Sequence, residues 1–209
     1  MNTQIFDALT STLLADVGAP AMHGRIKPLA PGMRVRGRAL AVSVPPGDNL
    51  AIHAALSVAQ PGDVLVVDGG GYVERALMGG IMTTQAHALG LAGVVIDGAM
   101  RDVQELVALG LPVFAAGLHP AGPFKNGDGT VNAPIVCAGV AVCSGDWIVG
   151  DDDGVVVVPP AQQDALLAAG RSKLAREQAR IAAIARGELT PGWLAQTLAN
   201  AQVRVLPRP

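Results

Sequence analysis

The sequence predicts an α/β domain followed by an extended C-terminal helix. Two short apolar runs, 64–67 and 93–96, are rich in β-branched residues, and an aspartate with glycine follows each of them. Such runs are typical of strands that are buried on both faces of a sheet. Helical patterns separate them at spacings that suit parallel crossovers. We therefore predict one α/β domain over residues 1–160, which holds the candidate site, and a C-terminal helix with its tail over residues 161–209.

The first part of the chain reads as helix, strand and helix. Apolar residues recur at helical spacing over 5–17, and a glycine with a nearby proline ends this helix. Strand-like runs follow over 33–44, broken by Gly37. An alanine-rich helix is predicted over 49–59.

The middle of the chain alternates strands with helices. The strands at 64–67 and 93–96 are joined by a third at 112–115, and the helices are predicted over 79–89 and 103–109. Because the carboxyl ends of parallel strands share one edge of a sheet, the turns that follow them are the expected place for a ligand site.

The last part of the first domain reads as a loop and a hairpin. Residues 117–133 are rich in Gly, Pro and Asn, and a loop of this length is more often functional than idle. We predict that the strands at 135–143 and 155–158 pair as a hairpin. The acidic run 151–153 lacks the alternating ligands of a calcium loop, so it is read as a turn.

The C-terminal region is predicted to be mainly helical. One helix covers 161–186 and ends at Gly187, a second helical piece lies around 193–201, and a strand is predicted at 203–207. A tail of this kind commonly packs on a neighbouring subunit, which is our hypothesis for residues 161–209.

Composition argues against several classes of function. The formal net charge is −2 and no basic patch dominates, which disfavours binding to nucleic acid or to an anionic membrane. No apolar run is long enough to cross a bilayer, so we expect a cytoplasmic protein. Cys137 and Cys143 are read as buried thiols in a reducing compartment. A mean hydropathy of +0.40 predicts a large subunit interface.

The most informative stretch is VVIDGAMRDVQEL, residues 94–106. This stretch places Arg101 and Asp102 at the start of a predicted helix, just after a predicted buried strand. One interpretation is a surface ion pair with a helix cap. The other is functional, with Arg101 binding an anion through two hydrogen bonds and Asp102 holding a hard divalent cation.

A second candidate is the glycine pair that begins the helix at residue 79. Free N–H groups of Gly79, Gly80, Ile81 and Met82 can point at an anion there, although a Gly-Gly pair alone is also a common turn. Arginine and a helix N-terminus that converge would form a carboxylate or phosphate pocket. By contrast, His23, His53, His87 and His119 lack metal-ligand spacing and are read as core or loop residues.

Several runs carry a family resemblance: DVLVVDGGG, GGIM, GLAGVVIDGAMRDVQELVALGLPVFA and GDWIVGDDDGVVVVP. Over residues 49–159 they resemble the family that joins class II, metal-dependent 4-hydroxy-4-methyl-2-oxoglutarate/4-carboxy-4-hydroxy-2-oxoadipate aldolases with the regulator of ribonuclease E activity A. KNGDGTVNAPIVCAG and ARGELTPGW resemble segments of the aldolase branch. The resemblance implies a swivelling β/β/α fold of the phosphohistidine-domain kind, assembled as a homotrimer or homohexamer with sites between subunits.

The resemblance also implies roles for individual residues. Arg101 and the amides of residues 79–82 would hold the carboxylate and ketone oxygen of a pyruvyl group, and Asp102 would bind Mg²⁺ or Mn²⁺. Lys125 would contact the distal carboxylate of a small 2-oxo acid substrate. Glu177 would reach the water shell of the metal from the adjacent subunit.

The implied activity is cleavage of 4-hydroxy-2-oxo acids to pyruvate and an oxo acid, with decarboxylation of oxaloacetate through the same enolate. No lysine lies near the arginine motif in sequence, which disfavours an imine route. One departure is Gly80, where these aldolases often carry an Asp thought to order a proton-delivering water. A protein-binding regulator of a ribonuclease is therefore the alternative, and a carrier-like domain is disfavoured because no histidine has a phosphoacceptor context.

Overall fold

The structure is a computed structural model that describes residues 3–206. It divides into two compact units, one that extends to Arg171 and a second that begins at Ser172. The first unit contains the sheet and the candidate site. The boundary falls inside the long C-terminal helix, because only the beginning of that helix is buried.

The described residues form six α-helices. They are α1 Ser11–Asp16, α2 Leu50–Val58, α3 Gly80–Ala88, α4 Val103–Leu109, α5 Gln163–Ala185 and α6 Leu194–Ala199. Single 3₁₀ turns precede α1, at Thr3–Phe6, and α5, at Pro160–Gln162. The predicted helices from α2 to α6 are confirmed, with ends that differ by a few residues.

The described residues also form ten strands. They are β1 Lys27–Pro28, β2 Val35–Ser43, β3 Asp63–Met78, β4 Gly93–Met100, β5 Val113–Leu118, β6 Thr130–Val131, β7 Ile135–Cys137, β8 Val140–Val142, β9 Trp147–Asp151 and β10 Gly154–Val158. Seven follow one another across the main sheet in the order β1-β5-β4-β3-β2-β9-β10, and β6 pairs with β2. The pairs β2–β3, β3–β4 and β4–β5 are parallel, as the alternation of strand and helix predicts.

The main sheet curls into a nearly closed barrel. Lys27 Nζ on the edge strand β1 donates to the carbonyl oxygen of Asp153, 2.6 Å away, in the turn beside the other edge strand β10. Gly32 N donates to Asp152 Oδ1 in the same turn at 2.7 Å. Met22 N donates to the carbonyl oxygen of Val155 at 2.9 Å. The first two bonds join the region of β1 to the turn beside β10, and the third engages a backbone group of the edge strand β10.

Alternate residues of the central strands face two separate cores. In β3, Leu65 and Val67 pack towards helices α2 to α4, whereas Val64 and Val66 pack on the opposite side, which the β7–β8 hairpin covers. Each fully buried Val or Leu side chain stabilises the fold by about 1.5–3 kcal/mol. Burial on both faces explains why these strands read as continuous apolar runs. The α/β class and the long C-terminal helix are confirmed, whereas the phosphohistidine-domain likeness stays a prediction.

The first predicted helix is wrong as one continuous element. The 3₁₀ turn ends at Phe6, Ala8 takes a left-handed conformation with φ +66°, and α1 begins only at Ser11. Thr10 Oγ1 accepts a hydrogen bond from Leu13 N and caps α1. A residue with positive φ cannot continue a right-handed helix, so the apolar periodicity spans two short pieces.

Several predicted strand limits and pairings are also wrong. Gly37 does not break β2, because its missing side chain lets the carbonyl oxygen of Gly62 and the side chain of Val64 come close. The strand that was expected to end at Asp68 continues through three glycines to Met78, with irregular pairing to β4. The segments 135–143 and 155–158 do not pair with each other, since β7 pairs with β8 and β9 pairs with β10.

The two cysteines have different environments. Cys137 is buried, and this burial raises the pKa of its thiol, so that side chain matches the prediction. Cys143 is exposed, which contradicts it, because β8 has ended at Val142 and the chain has turned towards solvent.

The second unit contains most of α5 and all of α6. Several of its apolar side chains are exposed, namely Ile181, Ile184, Leu189 and Trp193. Residues 203–206 form no strand, contrary to our expectation, and Pro207 lies outside the described residues. Packing of this region on a neighbouring subunit stays a prediction. None of the helices in residues 3–206 is both long and apolar enough to span a bilayer.

Candidate functional site

One pocket of about 160 Å³ collects seven of the eight candidate residues. Its wall includes Gly79, Gly80, Ile81, Met82, Arg101, Asp102 and Lys125, together with Asn49, His53, Leu77, Met78 and Pro123. The eighth candidate, Glu177, belongs to the second unit, where its carboxylate lies 2.9 Å from Lys173 Nζ. Its predicted role towards a metal stays a prediction.

Strand register explains why two distant segments meet in this pocket. β3 and β4 are parallel and end in register, with Met78 opposite Met100. The residues that follow, Gly79 and Arg101, therefore emerge side by side at the carboxyl edge of the sheet. A hydrogen bond of 3.1 Å from Arg101 N to the carbonyl oxygen of Met78 joins the two segments.

The glycine pair at the start of α3 makes this approach possible. A Cβ at Gly79 would lie 2.8 Å from Arg101 Cγ and would collide with Asp102 Oδ2. A larger residue at position 79 would force the side chains of Arg101 and Asp102 to shift, which gives Gly79 a steric reason for its identity. Gly80 N donates to Asp102 Oδ2 at 2.9 Å, so this amide is already engaged, and those of Ile81 and Met82 in the same first turn have no helical acceptor.

Asp102 has an unusual backbone conformation that aims its side chain into the pocket. It is the N-cap residue of α4 with φ +61°, a left-handed conformation that Asp tolerates better than most residues. Its carboxylate makes no capping bond to its own helix and instead accepts the N–H of Gly80. Arg101 Nε lies 3.6 Å from Asp102 Oδ2, and both side chains are more than one third exposed. Asp102 thus occupies the N-cap position without the side-chain capping bond, while the pairing of the two charges is present.

A second acidic side chain near Asp102, that of Glu105, lies beside Gly80. A Cβ at Gly80 would collide with Glu105 Oε2 and would lie 3.7 Å from Asp102 Oδ2. An acidic side chain at position 80 would therefore have to displace Glu105. The carboxylate of Glu105, a residue of α4, thus occupies the space that an acidic side chain at position 80 of α3 would need.

Two further pocket residues, Asn49 and His53, were missed by the sequence reasoning. Asn49 Nδ2 donates to the carbonyl oxygen of Leu77 at 3.0 Å and lies 3.1 Å from Met82 Sδ. Its Oδ1 atom is buried and has no hydrogen-bond partner, and the same holds for His53 Nε2. Within residues 3–206, among residues that are not exposed, no other buried side-chain nitrogen or oxygen lacks a hydrogen-bond partner. The four-residue spacing of Asn49 and His53 on one predicted helix places them on the same helix face, and this was the feature of the sequence that could have indicated them.

Asp48 ties the loop that carries Lys125 to the start of α2. Burial opposes ionisation of the Asp48 carboxyl, but hydrogen bonds from backbone N–H groups outweigh it, and the pKa of Asp48 is lowered. Asn126 N and Gly127 N each donate to Oδ2 at 2.8 Å, and Leu50 N donates to Oδ1 at 2.8 Å. Because two of these donors directly follow Lys125, Asp48 helps to place that lysine at the pocket.

Replacing Asp48 by Asn is expected to destabilise the protein by about 1–3 kcal/mol near neutral pH, because the acceptor loses its charge and one of its oxygens. The carboxylate stabilises the fold fully above its unfolded pKa of about 3.9, and this stability is lost as pH falls through the lower folded value. Urea unfolding of wild type and Asp48→Asn should therefore show a gap that shrinks on acidification. Asp128→Asn, at an exposed position of the same loop, is the control. A gap that widens towards low pH would contradict the role given to Asp48.

Lys125 weakens one argument made from the sequence. The imine route was disfavoured because no lysine lies near the arginine motif, yet the fold brings Lys125 into the pocket wall. Distance along the chain does not measure distance in space, so the position of Lys125 in the pocket wall removes this ground for disfavouring an imine.

The acidic groups at the pocket suit magnesium better than a metal that needs many protein ligands. Within residues 3–206 no three His, Cys, Asp or Glu side chains cluster as a ready-made metal site. Mg²⁺ retains several waters and often binds through one or two carboxylates. Asp102 offers such an oxygen donor at the pocket wall, and Glu105 lies beside Gly80. The residues present fit a hydrated, hard divalent cation.

The chain matches a known family over most of its length. The family description "RraA-like: Aldolase/RraA" matches residues 2–157. A protein of Halalkalibacterium halodurans named "Putative 4-hydroxy-4-methyl-2-oxoglutarate aldolase" is 41% identical over 181 residues, covering 86% of each chain. A similarly named Burkholderia multivorans protein is 37% identical and covers 64% of this chain and 85% of its own.

Solved structures share the fold. An uncharacterized protein from Pseudomonas syringae superimposes with a TM-score of 0.77 at 29% identity, covering 88% of this chain and 92% of its own. The RNA-processing inhibitor RraA from Thermus thermophilis gives a TM-score of 0.65 at 33% identity, covering 71% of this chain and 92% of its own. The comparisons thus include both aldolase names and an RNA-processing inhibitor.

Proposed function

Since the chain belongs to the RraA-like family of aldolases and RraA proteins, we propose that it is a divalent-metal-dependent carbon–carbon lyase for small 2-oxo acids. The proposed reaction is cleavage of 4-hydroxy-4-methyl-2-oxoglutarate or a related acid to pyruvate and a second oxo acid. Decarboxylation of oxaloacetate is proposed to occur at the same site. Mg²⁺ or Mn²⁺ is the proposed cofactor.

The single observation that carries this proposal is the convergence of unlike groups on one pocket. A guanidinium, the first turn of α3, a carboxylate and an ammonium all contribute to its wall, through Arg101, residues 79–82, Asp102 and Lys125. The first two groups suit a carboxylate with an adjacent ketone. Lys125 suits a second carboxylate at the far end of a dicarboxylic acid. A pocket of about 160 Å³ is also of a size for a small acid.

The chemistry explains why such groups would accelerate cleavage. Breaking the C3–C4 bond of a 4-hydroxy-2-oxo acid leaves a pyruvate enolate, so negative charge grows on the 2-oxo oxygen. Arg101 orients the pyruvyl group and stabilises that charge, and Asp102 would hold the cation. When bound, Mg²⁺ or Mn²⁺ would supply Lewis-acid stabilisation of the same oxygen. The backbone of α3 holds the carboxylate in place, which reduces the entropic cost of the reaction.

Pyruvate release from oxaloacetate and from 4-hydroxy-4-methyl-2-oxoglutarate tests the proposal. We expect turnover that requires Mg²⁺ or Mn²⁺ and disappears with a chelator. Reduction with cyanoborohydride in the presence of pyruvate should leave Lys125 unmodified, as judged by mass spectrometry. A reduced adduct on Lys125, or release of pyruvate that no metal stimulates, would exclude the metal-dependent route.

A second candidate function is inhibition of an RNase E-type ribonuclease, favoured by the likeness to the Thermus RNA-processing inhibitor. A purified ribonuclease, its RNA substrate and this chain would be combined to measure cleavage. Inhibition together with no lyase activity would favour the regulator. The homotrimer or homohexamer stays a prediction, which gel filtration with light scattering can test.

A further inference from the structure

The two unpartnered polar atoms of the pocket lie on the same helix, α2. Asn49 is the N-cap residue of α2, and His53 follows four residues later, so both side chains lie on one face, a helical turn apart. Asn49 is only 2% exposed, and both residues contribute to the wall that contains Arg101 and Asp102. The pocket therefore has a polar side, formed by α2, in addition to its charged groups.

The missing hydrogen bonds of Asn49 Oδ1 and His53 Nε2 raise the free energy of the folded protein. A buried polar atom without a hydrogen bond costs about 1–3 kcal/mol, and proteins seldom retain such atoms without a reason. The orientation of the Asn49 amide follows from its donor, since Nδ2 is engaged by the carbonyl oxygen of Leu77. Its Oδ1 atom is thus an acceptor without a donor. A ligand group that donates a hydrogen bond to Asn49 Oδ1 would satisfy it.

A hydroxyl group satisfies that requirement better than the other groups of a 2-oxo acid. Ketone and carboxylate oxygens only accept hydrogen bonds, so they cannot donate to Asn49 Oδ1. In the His53 tautomer with its hydrogen on Nδ1, which a general base requires, Nε2 is a second acceptor. With His53 in that tautomer, the hydroxyl is the group of an ionised 4-hydroxy-2-oxo acid that can donate a hydrogen bond to either atom.

We infer that His53 is a catalytic base for the substrate hydroxyl; the inference rests on the proposed lyase function. His53 Nε2 accepts the hydroxyl proton while the C4–O bond becomes a carbonyl and the C3–C4 bond breaks. The electron pair of that bond moves into the pyruvate enolate. Protonation of the enolate at C3 by solvent and loss of the proton from His53 to solvent complete the cycle, so atoms and charges balance.

Oxaloacetate provides an internal comparison because it has no hydroxyl group to deprotonate. His53→Gln should lower kcat for cleavage of 4-hydroxy-4-methyl-2-oxoglutarate by about 100-fold, the scale of general base catalysis. The same variant should lose much less oxaloacetate decarboxylation, because that reaction has no hydroxyl proton to remove, so that the ratio of cleavage to decarboxylation falls by about tenfold or more. His87→Gln, at an exposed position of α3 outside the pocket wall, is the matched control and should change neither rate.

Chemical rescue distinguishes a base from a structural residue. His53→Ala opens space in the pocket, and added imidazole should restore cleavage while leaving decarboxylation unchanged. Thermal unfolding of both variants shows whether they are folded. An equal loss of the two activities in folded His53→Gln, or cleavage at the wild-type rate, would overturn the inference.

The wild-type rates separate this inference from the proposed function. If the wild type decarboxylates oxaloacetate but cleaves no hydroxylated 2-oxo acid, the lyase proposal stands and the inference about His53 is wrong. If the wild type performs neither reaction with metal present, the proposed function itself is wrong.

Discussion

Replacing Asp102 by Asn is expected to lower metal-dependent pyruvate release from oxaloacetate by about 10²–10³-fold, comparable to removal of one strong stabilising group in other enzymes. Asn preserves the shape of Asp and tolerates the left-handed conformation of residue 102, where φ is +61°. Its amide oxygen can still accept the N–H of Gly80. The variant therefore removes negative charge from the pocket with little change to the fold.

Two measurements check the role of Asp102 independently of each other. Isothermal calorimetry with Mn²⁺ should show weaker binding to Asp102→Asn, and thermal unfolding without metal should stay within a few degrees of wild type. Asp164→Asn, which lies in the first turn of α5, is the matched control for removing one carboxylate. If Asp102→Asn binds Mn²⁺ as tightly as the wild type, Asp102 is not the metal ligand.

Replacing Asp97 by Asn is expected to have the largest effect on stability, about 2–4 kcal/mol. Asp97 is 2% exposed and accepts three hydrogen bonds, from Arg25 Nε at 2.8 Å, from Arg25 Nη2 at 2.7 Å and from Ala138 N at 3.0 Å. The bond to Asp97 also raises the pKa of Arg25. Breaking a buried ion pair typically costs about 3–5 kcal/mol, and our figure is lower because the Arg25 side chain is 38% exposed.

Urea unfolding followed by circular dichroism measures this difference. Asp7→Asn is the matched control, because Asp7 pairs with Arg36 at 3.0 Å but is 67% exposed. An exposed pair contributes about 0–1 kcal/mol, so the control should remain close to wild type. Equal destabilisation by the two substitutions would show that burial of Asp97 does not decide its contribution.

The arginine motif shows how far local sequence reasoning extends into the site. A buried strand followed by Asp and Gly predicted that Arg101 and Asp102 would lie at the carboxyl edge of a parallel sheet, and they do. The glycine pair at residue 79 was expected at the same edge, which the pairing of Met78 with Met100 explains. These features depend on strand direction and apolar runs, and both are local properties of the chain.

His53 and Asn49 show what such reasoning could not reach. His53 was read as a core or loop residue because it lacks metal-ligand spacing, and Asn49 was read only as the beginning of a helix. Their importance comes from the absence of partners, and this absence becomes visible only when all surrounding atoms are in place. Glu105 is similar, since only packing of α4 against α3 brings its carboxylate to Gly80.

The amino-acid sequence by itself determined the alternation of strands and helices, the long C-terminal helix and the edge of the sheet at which Arg101 and Asp102 stand. Tertiary structure alone decided the curl of the sheet, the pairing of β7 with β8, the arrival of Lys125 at the pocket and the unpaired atoms of α2. The physical reason is the distance over which each effect acts. Periodicity and turn chemistry depend on a few neighbouring residues. A pocket is formed by groups that are far apart in the chain and are brought together by packing.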